Sequence, residues 1–312
     1  MTLVYFQPPQ NCAPTPLWFS LILRQAGWRP LKVFSGMADI RLLVLDIDGT
    51  IAGKSNDVTA GVKQAIAAAQ QKGVQVAIAT GRMYRSAVRF HQAVGSALPL
   101  MSYQGALIKD PVSGKVYRHT PLSREHTLAL LAALAELEAA ERLSIHLYID
   151  DQLHVREILT DTREYAERSG IEPIPVGDLA AYLTAQSAIE TTKLLALSPD
   201  PTVITDLLSR FKSQYTPAEL YLTQSVATFF EATHPLSNKG AAVQYLAEER
   251  LGLTADQVMT VGDNFNDYEM IRYAGVGVAM GDAPDGVKAI ADWVAPSVEV
   301  DGVASAIEQF LL

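Results

Sequence analysis

The sequence predicts an α/β protein: a Rossmann-like, doubly wound parallel-sheet core with an inserted α+β cap domain. Three observations carry this expectation. Short apolar runs that end abruptly in polar residues recur at both ends of the chain, LLVL before Asp46, VQVAIA before Thr80 and QVMTV before Gly262 and Asp263. Stretches of helical period separate these runs. Between about residues 121 and 233 the texture changes to strand candidates of alternating or exposed character, SIHLYI, KLLAL, ELYLT and VATFF. Continuous apolar runs read as strands covered on both faces, and their alternation with helices implies right-handed βαβ units. Alternating runs read as an antiparallel sheet.

Taken in order, residues 1–37 stand apart. They hold Pro8, Pro9, Pro14, Pro16 and Pro30 and a short apolar patch, Leu17 to Leu23, that Arg24 follows rather than precedes. A secretory signal has the opposite charge order, so the segment reads as a disordered or loosely docked extension. The core is expected over 38–120: a strand at Leu42–Leu45, then a helix around Val58–Lys72 with Val62, Ile66 and Ala69 on one face and Gly73 as its stop. A strand at Val74–Ala79, a helix to about Gly95, and a strand and turn in LPLMSYQGALI (98–108) follow. The cap is expected over 121–233, with helices at Glu125–Ala140 and Thr202–Phe211. The core resumes over 234–312 with helix Asn238–Arg250, strand 257–261, a helix from Asn266, strand 276–280 and a last helix from about Gly302. One continuous three-layer domain is the alternative.

Composition excludes several classes of function. A net charge of -9 with no Lys/Arg-rich run argues against a nucleic-acid partner. The single cysteine, Cys12, rules out a disulfide framework and suits a reducing, cytoplasmic setting. No stretch approaches 18 uninterrupted apolar residues, so no membrane span is expected. Oligomeric state is left open.

Ligands of open α/β sheets bind outside the carboxyl ends of the strands. Asp46, Asp48, Thr80 and Asp263 all sit at such ends, so one crevice can gather them. Two carboxylates about 5 Å apart repel by roughly 3 kcal/mol at an effective dielectric near 20. Asp46, Asp48, Asp263 and Asp267 would accumulate several such terms, with Lys239 and Arg82 to offset them. Either some are protonated or a cation is bound, and hard oxygen ligands without His or Cys point to Mg²⁺. Lys239 follows Ser237, which reads as a helix N-cap, so a cation stands in a first turn where the helix dipole opposes it. A shared anion beside the lysine and the free N–H groups would offset that cost. Thr80, Gly81 and Arg82 supply a hydroxyl, an approachable backbone N–H and a guanidinium, all suited to phosphate.

LLVLDIDGTI, VAIATGR, SNKG and VMTVGDNFND resemble the four ordered motifs of the haloacid dehalogenase-like (HAD) hydrolase superfamily. SYQGALI, GVGVAMGDAPDGVKAIADWVAPS and VDGVA are similar to its Cof-type phosphatases, whose cap lies between the second and third motifs. The resemblance covers about residues 38 to 312. It implies that Asp46 is the nucleophile and that Asp48 protonates the leaving oxygen and then activates water. It implies that Thr80, Gly81 and Lys239 hold the phosphate, with Asn266 assisting beside the metal and lysine; the residue reading adds Arg82 and Asn266 as candidate substrate-binding residues. Asp46, the Asp48 backbone carbonyl and Asp263 would ligate Mg²⁺, with Asp267 in support. Gln104 and Asp282 stand where the family usually has Asn.

An isolated Asp at a strand end is ordinarily a turn former. Here the joint occurrence of the motif residues sets that reading aside. His146, Tyr148 and His154 read as ordinary cap-strand residues rather than pocket residues, Cys12 as inert, and Trp18, Trp28 and Trp293 as packing. The expected function is a Mg²⁺-dependent phosphatase of a small phosphorylated metabolite acting through an aspartyl-phosphate. A phosphomutase of the same superfamily and a catalytically idle phospho-ligand binder are the alternatives.

Overall fold

The computed structural model describes residues 39–140, 143–186 and 188–312; the N-terminal segment, with Cys12, Trp18 and Trp28, lies outside the described residues. The chain begins with β1 (Leu42–Leu45), then α1 (Ala60–Gln71), β2 (Gln75–Ile78) and α2 (Tyr84–Ala93). Every residue of β1 is fully buried, and covering each such side chain contributes about 1.5–3 kcal/mol. Helix α1 starts two residues later than its apolar spacing suggests, because the Thr59 hydroxyl accepts the Val62 N–H and fixes the cap. Strands β3 (Leu100–Ser102), β4 (Leu107–Lys109) and β5 (Val116–His119) form a separate antiparallel sheet. Among the described residues an isolated bridge, Ala79 to Met101, joins it to β2's end.

The inserted segment runs α3 (Arg124–Ala139), β6 (Ser144–Ile149), β7 (Gln152–Val155), α4 (Thr160–Ser169), β8 (Pro173–Pro175), α5 (Leu179–Ala185), β9 (Thr191–Leu197), α6 (Pro201–Gln214), β10 (Tyr221–Thr223) and β11 (Phe229–Thr233). Its sheet has the order β10-β11-β9-β6-β7-β8. The pairing is antiparallel except between β7 and β8, which run parallel because α4 separates them as a crossover. Alternation along the strands sorts the side chains into two sets. Ile145, Leu147, Ile149, Leu194, Ala196, Phe230 and Ala232 pack with α3, α5 and α6, whereas Tyr148 and Leu195 join the cluster that continues into the first sheet's core.

The chain returns through α7 (Lys239–Gln244), β12 (Val258–Gly262), α8 (Tyr268–Tyr273), β13 (Val276–Ala279), α9 (Asp285–Lys288), β14 (Trp293–Val294) and α10 (Gly302–Phe310). The helix expected to reach Arg250 as one piece changes to a π-helical turn over Tyr245–Arg250. The main sheet has the order β14-β13-β12-β1-β2, all parallel, with β1 between β2 and β12. Trp293 packs edge-on against Phe310. Among the described residues, no helix is long and apolar enough to cross a membrane.

Candidate active site

The parallel ladder brings the polar strand ends together. The Asp46 N–H donates to Val261 O across 3.1 Å, so Asp46 continues β1's pairing with β12 one residue past the strand. The chain then turns: Ile47 O accepts the N–H groups of Thr50, Ile51 and Ala52, and Gly49 sits at φ 76°. A Cβ at Gly49 would overlap the Asp263 carboxylate, so only glycine lets the two strand ends approach this closely.

Asp46 and Asp48 then face different partners. Lys239 Nζ is 2.7 Å from Asp46 and 2.6 Å from Asp267, and all three residues are buried. Asp267 also accepts the N–H groups of Asp263 (2.9 Å) and Asn264 (3.1 Å), which fixes the strand end that carries Asp263. Asp48 instead takes two hydrogen bonds from Arg82, 2.7 Å to Nε and 2.6 Å to Nη2. Arg82 donates a third to Asn56 (2.6 Å), and Arg168 from α4 lies 3.9 Å from Asp48.

These surroundings split the carboxylates electrostatically. Burial, then the Asp267 charge, pushes Asp46 up to about 7 despite Lys239. Burial and the charges of Asp267 and Asp46 raise Asp263 well above the usual carboxylate range. Burial acts the same way on Asp48, but the Arg82 hydrogen bonds and charge outweigh it and hold that carboxyl below its ordinary value. Lys239 is raised, since its two carboxylates more than offset its burial. The cost of a cation in the first turn of α7 is thus met by two protein anions. The cap of that helix is Asn238, whose side chain accepts the Ala241 N–H, and not Ser237. Both residue types cap well. The Ser237 hydroxyl is instead buried without a partner among the described residues.

Thr80 is anchored by its N–H to Met101 O (2.9 Å), and its hydroxyl oxygen accepts the Arg82 N–H (3.1 Å), with no acceptor for the hydroxyl hydrogen among the described residues. Gly81 lies against Gln104, whose Nε2 is 2.5 Å from where a Cβ would stand. Gln104 belongs to a run of three left-handed residues, Tyr103, Gln104 and Gly105, a backbone that ordinary side chains rarely adopt and that costs about 1–3 kcal/mol per residue outside glycine. The buried Asn266 donates to Gln104 (3.2 Å), and its own Oδ1 has no partner among the described residues. Asp46, Asp48, Thr80, Gly81, Arg82, Asp263 and Asn266 all line one cavity of about 660 Å³. Lys239 and Asp267 do not; they lie behind Asp46. Asp46, Asp263 and Asp267 each place an oxygen within 4.8 Å of the others, an all-oxygen donor set that fits a hard divalent cation. Asp267 already serves Lys239 and two N–H groups, so Asp46 and Asp263 are the carboxylates with capacity left.

The sequence profile of the haloacid dehalogenase-like hydrolases matches residues 43–307. The chain belongs to that family. Phosphatase YwpJ of Bacillus subtilis (strain 168) is 26% identical over 302 residues, covering 87% of this chain and 100% of the relative. Pyridoxal phosphate phosphatase YbhA of Escherichia coli (strain K12) is 29% identical over 283 residues, covering 87% and 99%. A haloacid dehalogenase-like hydrolase from B. subtilis shares the fold with a TM-score of 0.76 at 23% identity, covering 87% of this chain and 100% of that one. This haloacid dehalogenase-like hydrolase is accordingly a phosphoric monoester hydrolase, and its substrate is a phosphorylated small molecule.

The inserted segment adds residues to the hydrolase's cavity that sequence reasoning did not single out: Tyr165, Arg168, Lys193 and Phe229. His146, Tyr148 and His154 are buried and line none of it. Lys193 and its buried partner Glu231 carried a signal: each is a lone charge inside an apolar strand, TTKLLAL and FFEAT, and a charge buried there needs an opposite one. The Arg82–Asp48 pair had none, because the two residues are 34 positions apart and each already fitted another expectation.

Proposed function

We propose that this enzyme is a Mg²⁺-dependent phosphatase of a small phosphorylated metabolite, working through an aspartyl-phosphate on Asp46. The observation that carries this reading is the division of labour between two carboxylates two residues apart. Asp46 faces Lys239 and the acidic cluster, whereas Asp48 is held by Arg82 on the same cavity wall. An Asp46 oxygen attacks phosphorus as the ester oxygen leaves, and Asp48, which takes up a proton on substrate binding against the pull of Arg82, passes it to that oxygen. Asp48 then takes a proton from the water that attacks the aspartyl-phosphate, and inorganic phosphate is released. The Thr80 hydroxyl, the Gly81 N–H and Asn266 hold the phosphate oxygens, Lys239 neutralises Asp46 from behind, and Arg82 keeps Asp48 oriented. Asp46, the Asp48 carbonyl and Asp263 would hold Mg²⁺, with Asp267 ordering them. When bound, the ion offsets phosphate charge and orients the group for in-line displacement.

The segment 121–233 serves as the cap over a core formed by 38–120 and 234–312. A cavity of about 660 Å³ matches the usual size of small-ligand sites, and the relative named for pyridoxal phosphate supports a substrate of that size. The single cysteine supports a cytoplasmic setting. Burst labelling tests the reading. With labelled substrate, the label is expected on Asp46 and then in inorganic phosphate, and Asp46→Asn should show neither. Label on another residue, or undiminished turnover by Asp46→Asn, refutes the nucleophile. Label returned to substrate rather than water identifies a mutase.

A further inference from the structure

We propose that Lys193 of the inserted segment is a positioning residue for phosphate binding: with Glu231, it reaches into the core and fixes the Thr80–Arg82 loop through the Gly81 carbonyl. Lys193 leaves the middle of β9 on the sheet face opposite α3, α5 and α6, alternating with Leu194. Its side chain is 4% exposed and that of Glu231 is 0% exposed. Lys193 Nζ is 2.5 Å from Glu231 Oε2 and 3.0 Å from Gly81 O, and it stands over the Tyr148 ring at 5.3 Å.

The consequence follows from peptide planarity. Gly81 C=O and Arg82 N–H share one rigid plane. Lys193 holds the carbonyl end of that plane, and the other end donates to the Thr80 hydroxyl oxygen. Fixing Gly81 O therefore fixes the lone pair through which Thr80 is held, and with it the direction left for the hydroxyl hydrogen. Glu231 extends the grip. It accepts from Gln104 (3.3 Å), and Gln104 accepts from Asn266 (3.2 Å), so the same buried ion pair also orders the third phosphate-holding group. Ser225 holds the other Glu231 oxygen. A second tie acts just beyond the loop. The Met83 side chain gives α2 no cap, and Asp151, in the turn between β6 and β7, accepts the Arg85 N–H (3.0 Å) and the Tyr103 hydroxyl (2.7 Å). The phosphate loop is thus fastened to the inserted segment at both ends. Phosphate affinity and the seating of that segment are one linked equilibrium.

This inference rests on Thr80, Gly81 and Asn266 being the phosphate site. The Mg²⁺-loaded enzyme is assayed with inorganic phosphate as competitive inhibitor, since phosphate lacks a leaving group and needs no cap contact of its own. Lys193→Met combined with Glu231→Gln removes the tie without leaving a buried lone charge. Its phosphate Ki is expected to rise about tenfold or more, the effect of a lost charge-assisted hydrogen bond. Leu207→Ala, a cavity on the far face of the same sheet, should lower the melting temperature and leave Ki in place. A folded double variant with Ki within twofold of the parent overturns the proposal. If the double variant does not fold, hydrogen exchange on the parent decides: saturating phosphate should slow exchange in β9 as well as in residues 80–85, and slowing confined to the core overturns it. Failure of the parent to bind phosphate at all would instead refute the site.

Discussion

Lys239→Met isolates the electrostatics of the buried cluster, because methionine nearly matches the lysine stem and removes only the charge. At 2.7 and 2.6 Å, each carboxylate contact is worth about 6 kcal/mol of direct attraction at an effective dielectric near 20, most of it offset by the desolvation of three ions. Removing one partner leaves Asp46 and Asp267 buried beside Asp263, and breaking such a pair typically costs about 3–5 kcal/mol. With a urea m-value near the upper end for this size, about 3 kcal/mol per molar, the unfolding midpoint should fall by about 1–2 M. Mg²⁺ should stabilise the variant more than the parent, since the ion then supplies the only compensating charge inside the cluster. Asp267→Asn in the Lys239→Met background should recover part of the loss, because its amide can face Asp46 while its oxygen keeps the Asp263 and Asn264 N–H groups. Urea titrations of the three proteins with and without Mg²⁺ read all of this. A loss below about 1 kcal/mol in Lys239→Met, or no recovery in the double variant, would refute the reasoning.

In chelator, stability should contain a component that declines as pH rises from about 4 to about 7. Asp46 binds its proton more tightly folded than unfolded, so its contribution is present at low pH and lost as the folded group ionises. Mg²⁺ should flatten that slope, and identical slopes with and without the ion would count against the metal assignment. Asp48→Asn should lose about 10²–10⁴-fold in turnover of an alkyl phosphate. With p-nitrophenyl phosphate it should still form aspartyl-phosphate, then stall; equal losses in labelling of both substrates would contradict its role as acid. Gly49→Ala must take a left-handed backbone, at about 1–2 kcal/mol, and displace Asp263, so melting temperature and kcat should both fall. Parental kcat in Gly49→Ala would show that Asp263 can move without consequence.

The parallel core was legible because its strands are apolar throughout and stop at carboxylates, and β1, β2, β12 and β13 lie within a residue of their expected bounds. Helix limits were less so. Ser237 and Asn238 are both good caps, and only the turn geometry after His234 selects the second. The motif residues announced a common crevice, yet not how they divide within it. Arg82 reads equally well as a phosphate ligand and as a carboxylate clamp, since a guanidinium fork fits either. The structure directs it to Asp48. Lys193 escaped notice for a related reason. Period-2 alternation put it on the face away from the helices, where a lysine ordinarily meets water, and the strand pattern does not reveal that a second body covers that face.

The strand order of the main sheet also sets a schedule for the ribosome. β1 carries Asp46 but lies between β2, its near neighbour in sequence, and β12, which begins only at Val258. Lys239, Asp263 and Asp267 arrive with that later stretch. The inserted sheet, by contrast, pairs among the described residues within 122–233, so these partners are synthesised before β12 exists. At about 5–20 residues per second, Asp46 waits on the order of tens of seconds for its lysine. During that interval the nascent chain can complete the inserted sheet while β1 has one open edge. The strand that bears Asp46 keeps an unpaired edge until β12 is made, and the site has no buried lysine before then.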